Sequence, residues 1–243
     1  MKILLSNDDG YYSSGMQFLI NELSVAHDIF VAAPSSNQSA GSSALSVRKD
    51  ILVENVSKNH YVINGTPADC VHIALTCLIK EEIDIVVSGI NLGANLGDDV
   101  IYSGTVAAAL EGRHLKMSPI AISLVSSVNM SIKKSAEISK KIIDEIICNK
   151  IINKNTLLNV NIPDTYEDLD ISEIEYTRLG VRDLPLPATK IINKNNYYRI
   201  GGAGTPKDNG KKTDFFAIEN NKISISPILY NLTNKNILEK LSI

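Results

Sequence analysis

Two carboxylates stand side by side where a short apolar run ends: Asp8 and Asp9 follow Ile3-Leu4-Leu5-Ser6-Asn7 and precede Gly10. The run reads as a strand, and in a parallel α/β sheet ligands bind beyond the carboxyl ends of the strands. Adjacent carboxylates repel each other unless a cation or a cluster of donors holds them. The chemistry that suits the pair is a divalent cation bound through oxygen. Asp and Gly are also ordinary turn formers, so the pair gains meaning only with the rest of the chain.

Two more loops offer matching groups. Pro34 to Gly41 is a polar loop that includes Ser39. From Gly89 to Gly97 asparagine and glycine alternate, with Asn91 and Asn95 among them. Glycine lets backbone approach a ligand, and the asparagine oxygen is a hard ligand for a hard cation. A long surface turn would share this composition, yet function concentrates on such loops. Next comes Ser103-Gly104-Thr105, where a helix begins. Free N–H groups at a helix N-terminus, with hydroxyls beside them, make an anion site. Ser103 also suits an N-cap, and the two roles are compatible. A cation site facing a phosphate-sized anion site fits metal-assisted hydrolysis of a phosphate ester by metal-activated water. No Ser-His-Asp or Cys-His arrangement, Walker A sequence or Gly-x-Gly-x-x-Gly pattern is visible. Asp8 lacks a second Asp two residues on, which weakens an aspartyl-phosphate route.

The elements that must position these loops alternate. Strand patterns at residues 2–6, 28–33, 83–88 and 119–125 are interleaved with helical ones at 15–26, 104–115 and 131–148. A further helix opens at Pro67, with Thr66 as its cap, and runs to about Ile79. Extended stretches lie near 51–56 and 60–63. The alternation predicts an α/β fold, a doubly wound, mostly parallel sheet covered on both faces. Past about residue 160 the pattern changes. Residues 171–178 read as a half-exposed antiparallel strand, 201–212 as a mobile loop, 222–228 as a strand, and a short helix closes the chain. This tail has too little apolar surface to fold alone. It is expected to pack on the first part or on another subunit.

The chain has 243 residues, 44% hydrophobic and 21% charged, enough for a proper core. A net charge of −3 and the lack of a basic block exclude a groove for a nucleic-acid duplex. No stretch approaches the roughly 20 apolar residues of a membrane span, and the opening run is too short for a signal-peptide core. The cytoplasm is the expected location. Cys70, Cys77 and Cys148 make neither a disulfide framework nor a zinc site. Cys70 and Cys77, two helical turns apart, are both expected to be buried.

On these residues the chain resembles SurE, the stationary-phase survival protein E family of 5′/3′-nucleotidases. The matching segments are Ser6 to Gly10, Ala33 to Ser39, Gly65 to Val71, Val87 to Asp99, Tyr102 to Ala109, Glu111 to His114, Asn159 to Pro163, and Thr213-Asp214-Phe215. The resemblance implies a Rossmann-like core, 1–163, and an extended antiparallel C-terminal part, 164–243, that exchanges a segment between subunits in a homodimer or tetramer. It implies hydrolysis of nucleoside 5′- and 3′-monophosphates and one manganese or magnesium ion per subunit; whether short polyphosphate is also cleaved stays open. The implied metal ligands are Asp8, Asp9, Ser39 and Asn91, with Asp8, Asp9 and Asn91 catalytic. Asn95 and Ser103-Gly104-Thr105 fall on the phosphate side. Two departures stand out: Ser35–Gln38 is uncharged, and Leu229 and Asn231 replace a histidine and an aspartate common in relatives. A regulatory module that binds nucleotide or phosphate without turnover is the alternative.

Overall fold

The computed structural model describes residues 1–241 except 40, 127, 129, 150–154, 166–168 and 193. Its first seven strands are β1 (Lys2–Ser6), β2 (Asp28–Pro34), β3 (Val53–Ser57), β4 (His60–Ile63), β5 (Ile85–Leu92), β6 (Ile120–Leu124) and β7 (Thr156–Ile162). Among these seven every neighbouring pair is parallel except β3 with β4, which is antiparallel. Four helices lie between them: α1 (Ser14–Leu23), α2 (Pro67–Ile73), α3 (Gly104–Glu111) and α4 (Ile132–Asn149).

Side chains alternate across the sheet and build a core on each face. Ile3 and Leu5 pack with Leu19 and Ile20 of α1 and with Ala136, Ile138 and Ile143 of α4. Leu4 and Val86 pack on the other face with Cys70 and Val71 of α2 and Ala108 of α3. Strands buried on both faces carry near-continuous aliphatic runs, as Ile85-Val86-Val87 does.

The later elements are β8 (Ile174–Tyr176), β9 (Val181–Arg182), β10 (Thr189–Lys190), β11 (Tyr198–Arg199), β12 (Pro206–Asp208), α5 (Asp214–Glu219), β13 (Ile223–Leu229) and α6 (Lys235–Leu241). The main sheet has the order β3-β4-β2-β1-β5-β6-β7-β13-β8. Ile223 and Ile225 of β13 are fully buried in its core. The chain leaves β1 toward β2 on one side and reaches β5 on the other. The topological switch point therefore lies at the carboxyl ends of β1 and β5, where ligands bind in such sheets. Among the described residues no helix is long and apolar enough to cross a membrane.

Several sequence expectations need correction. Strand β5 does not stop at Ser88; it runs on to Leu92 through a bulge between Ser88 and Asn91 that contains a cis Gly89–Ile90 peptide. The extra residue moves the loop's start outward and sets Asn91 on the strand beside Ser123. The helix from Pro67 ends at Ile73 and continues as a π-helical turn, Ala74–Leu78, with the Ile79 N–H donating to the Ala74 carbonyl at 3.0 Å. That wider turn rotates Cys77 off the face of Cys70, so Cys70 is buried and Cys77 is exposed. Residues 171–178 do not form one antiparallel strand. A 3₁₀ turn, Ile171–Glu173, leads into the three-residue β8, which pairs parallel with β13. Both run against the parallel core, because β13 is antiparallel to β7. The loop 201–212 contains β12, paired with β9.

Candidate active site

An Asx-type turn builds the acidic corner. The Asn7 side chain accepts from the Gly10 N–H at 3.1 Å and donates to the Gly10 carbonyl at 3.0 Å and to Ser13 Oγ at 2.8 Å. Gly10 sits at φ +100°, a conformation that side chains disfavour. The turn projects Asp8 and Asp9 past the end of β1. Asp8 is buried, and the Thr105 hydroxyl donates to its Oδ1 at 2.6 Å. Asp9 accepts from Asn37 Nδ2 at 3.2 Å and from the Leu92 N–H at 3.3 Å. Asn37 in turn accepts from the Ser39 N–H at 2.9 Å and the Ser39 hydroxyl at 2.6 Å. The chain Asp9–Asn37–Ser39 thus links the first loop to the second, and the Gln38 N–H donating to the Asp8 carbonyl at 2.8 Å seals the join.

Burial raises the Asp8 carboxyl above its ordinary value; the Thr105 hydroxyl pulls it back, and the charge of Asp9 adds to the rise. Burial raises Asp9 as well, against the Leu92 N–H. Among the described residues neither carboxylate forms an ion pair. Two adjacent acids held this way, without a basic partner, are the electrostatic counterpart of a cation site.

The other loops close around them. Asn91 donates its amide N–H to the Gly93 carbonyl at 2.8 Å, which leaves Oδ1 available as an oxygen donor. Ser103 caps α3 by accepting the Val106 N–H at 3.1 Å, so its hydroxyl hydrogen remains for an anion. The N–H groups of Gly104 and Thr105 head the first turn, where helix donors have no intrahelical partner. Gly104 lies so close to Asp8 that an added Cβ would sit 2.8 Å from the Asp8 Cβ.

Asp8, Asp9, Ser39 and Asn91 line one cavity of about 330 Å³. Asn95, Ser103 and Gly104 line the same cavity. Thr105 does not; it is fully buried behind Asp8, and its hydroxyl is committed to that carboxylate. Asn37, Leu92, Asp99 and Tyr102, which the sequence reading did not single out, also line it.

A buried amide network fixes the third loop. The Asn95 N–H donates to Asn161 Oδ1 at 2.9 Å, and the Asn95 carbonyl accepts from Asn159 at 2.8 Å and Asn161 at 3.0 Å. Asn95 Nδ2 donates to Ser123 Oγ at 2.7 Å. Farther along, the Gly97 N–H donates to the buried Asp214 carboxylate at 2.6 Å. Two asparagines spaced by two in a buried strand were the available signal for the network, since such residues share one face. Asp214 had no local signal beyond its place in Thr213-Asp214-Phe215.

Comparisons with known proteins match most or all of the chain. A family profile described as "Survival protein SurE" matches residues 3–185. The chain is 44% identical over 242 residues to the 5′-nucleotidase SurE of Vesicomyosocius okutanii subsp. Calyptogena okutanii (strain HA), covering 100% of this chain and 96% of that protein. It is 43% identical over 244 residues to the 5′-nucleotidase SurE of Legionella pneumophila (strain Lens), again covering 100% and 96%. The crystal structure of the SurE protein from Aquifex aeolicus superposes with a TM-score of 0.84 at 34% identity, covering 99% of this chain and 98% of that one. A profile over most of the chain, full-length relatives and a shared fold place it: the chain belongs to the SurE family.

Proposed function

We propose that the chain is a divalent-metal-dependent phosphatase that hydrolyses nucleoside 5′- and 3′-monophosphates to nucleoside and phosphate. One observation supports the reading above the others: two adjacent, unpaired carboxylates share a cavity with the N-terminus of α3. The names of the curated relatives point the same way.

The donor set suits a hard cation. Asp8, Asp9, Ser39 and Asn91 offer only oxygen, and no cluster of three or more His, Cys, Asp or Glu exists among the described residues. Manganese or magnesium, one ion per subunit, fits such ligands. When bound, the cation neutralises charge on the phosphoryl oxygens and lowers the pKa of a coordinated water. The residues of the chain do the rest. Thr105 holds Asp8 in place, and Asn37 holds Asp9 and Ser39. Ser103 and the free N–H groups at Gly104 receive the phosphoryl oxygens, and the Asn159–Asn161 pair keeps Asn95 at the cavity wall.

The proposal includes a cytoplasmic enzyme with a 1–163 core and a 164–243 part that joins copies into a dimer or tetramer. Exposed apolar residues of the later part, Leu184, Ile192, Ile200, Leu229 and Leu232 among them, support that assembly. Light scattering should give a mass at least twice 26.5 kDa at micromolar concentration. A monomer mass overturns the assembly but not the chemistry. For the activity, phosphate release from 5′-AMP and 3′-AMP should appear with manganese or magnesium and vanish in excess chelator. Release that persists without metal, or none with any metal, overturns the reading.

A further inference from the structure

Three carboxylates line the cavity, yet only two belong to the cation position. Asp99 is the third. It lies on the 3₁₀ turn Gly97–Tyr102, just ahead of Ser103. A nucleoside monophosphate carries close to two negative charges near neutral pH. A bare carboxylate in the same cavity would repel it.

Asp99 is not bare. Arg182 of β9 donates from Nε to Asp99 Oδ2 at 2.5 Å. The same guanidinium donates from Nη1 to the Gly204 carbonyl at 3.0 Å and lies 4.8 Å from the centroid of the Phe215 ring. The Arg182 N–H is held by Asp98 Oδ1 at 3.0 Å. The floor beneath is anchored too, because the fully buried Asp214 accepts from the N–H groups of Gly97, Gly180 and Phe215 at 2.6, 2.8 and 2.9 Å. The Arg182 and Asp99 side chains are only 20% and 32% exposed, so water and salt screen them less than a surface pair. The arginine comes from the C-terminal part, far in sequence from the acidic turn it serves.

We propose that Arg182 is a positioning residue for phosphate binding: clamped on Phe215, it neutralises Asp99, so that a phosphate dianion can enter a cavity built from carboxylates. The proposal rests on the phosphatase reading given above. It differs from a mere tether of the turn, which needs the bond but not the charge.

The test uses the magnesium-loaded full chain, 5′-AMP for kinetics and inorganic phosphate as a binding probe in calorimetry. Arg182→Met should raise the KM for 5′-AMP and the Kd for phosphate about tenfold, with kcat within about twofold, as expected for one unmasked charge at cavity distance. The increase should shrink as sodium chloride is raised. Asp99→Asn leaves the arginine uncompensated and should tighten phosphate about threefold. The double variant Arg182→Met, Asp99→Asn lacks the ion pair but is neutral, and should return to within about threefold of the wild-type KM. Arg182→Lys keeps the charge and should stay near wild type. Should Arg182→Met fail to fold, Arg182→Gln replaces it. A double variant as weak as Arg182→Met, or a salt-independent effect, overturns the masking and leaves the phosphatase reading standing. A wild-type chain that neither binds nor releases phosphate overturns both.

Discussion

The Thr105 hydroxyl donates to Asp8 Oδ1 at 2.6 Å, joining residues 97 positions apart in the chain. It ties the end of β1 to the first turn of α3, and so fixes the cation side of the cavity relative to the anion side. Thr105→Val keeps the shape and removes the bond. A hydrogen bond to a charged group contributes roughly 1.5–3 kcal/mol. The value of kcat/KM for 5′-AMP should therefore fall about 10- to 100-fold, and Thr105→Ser should recover most of it. Equal rates for Val and wild type would mean that Asp8 needs no such support.

Asp8 carries a stability cost that its replacement should reveal. Its folded carboxyl is raised, mainly by burial, so above the ordinary carboxylate range ionisation favours the unfolded chain. The metal-free protein should gain stability from this group as pH falls through the raised folded value. Asp8→Asn removes the charge at every pH. It should abolish phosphate release and raise the metal-free melting temperature near pH 7, on the order of 2–4 °C per kcal/mol relieved. Added manganese should raise the melting temperature of wild type but not of the variant. Scanning calorimetry reads both effects, and an active or destabilised Asp8→Asn contradicts them.

Gly104 has no room for a side chain, since a Cβ there would stand 2.8 Å from the Asp8 Cβ. Gly104→Val should raise the KM for nucleoside monophosphates or abolish turnover, and overpacking should cost about 1–3 kcal/mol in urea unfolding. Unchanged kinetics would make the helix end purely structural.

Asp69 behaves oppositely to Asp8. Burial pushes its carboxyl up, but the donors of Ser46 and Thr66 together outweigh burial and hold it below the ordinary value. Such a group stabilises the fold above the unfolded pKa, about 3.9, and loses that contribution as pH falls through the lower folded value. Asp69→Asn should cost about 1–3 kcal/mol at pH 7. The gap to wild type should close in strong acid, as measured by urea unfolding across pH. Because Asp69 receives the Ser46 N–H at 2.8 Å and Thr66 donates to the Ala44 carbonyl at 2.7 Å, hydrogen exchange in residues 41–47 should also quicken.

The parts of the fold that local pattern encodes were legible in the sequence. Strands β1, β2 and β6 are short, largely apolar runs, and Thr66-Pro67 announces the start of α2. The acidic turn and the Asn/Gly loop were visible because paired carboxylates and a long Asn/Gly alternation exceed what a plain turn requires. Pairing between distant segments left no such mark. Nothing local in Ile223–Leu229 says that it will lie antiparallel beside β7 from Ser224–Asn161 to Leu229–Thr156. A hydroxyl at the start of a helix marks Thr105 as an anion contact in the sequence, yet in the fold that hydroxyl donates to Asp8. Cys77 was misplaced because a π turn changes the helical period that the prediction assumed. Asp214 and Arg182 act on the cavity across tertiary contacts that only folding creates.

The bond between the Gly97 N–H and Asp214 spans 117 residues. On the ribosome the acidic turn emerges early, but the loop opposite it cannot be fastened until α5 has been translated. A nascent chain that exposes Asp8 and Asp9 therefore holds an unfinished pocket until Asp214 has emerged. Fragments that end before Asp214 should therefore leave nucleotides unconsumed, because the loop opposite the acidic turn lacks its anchor.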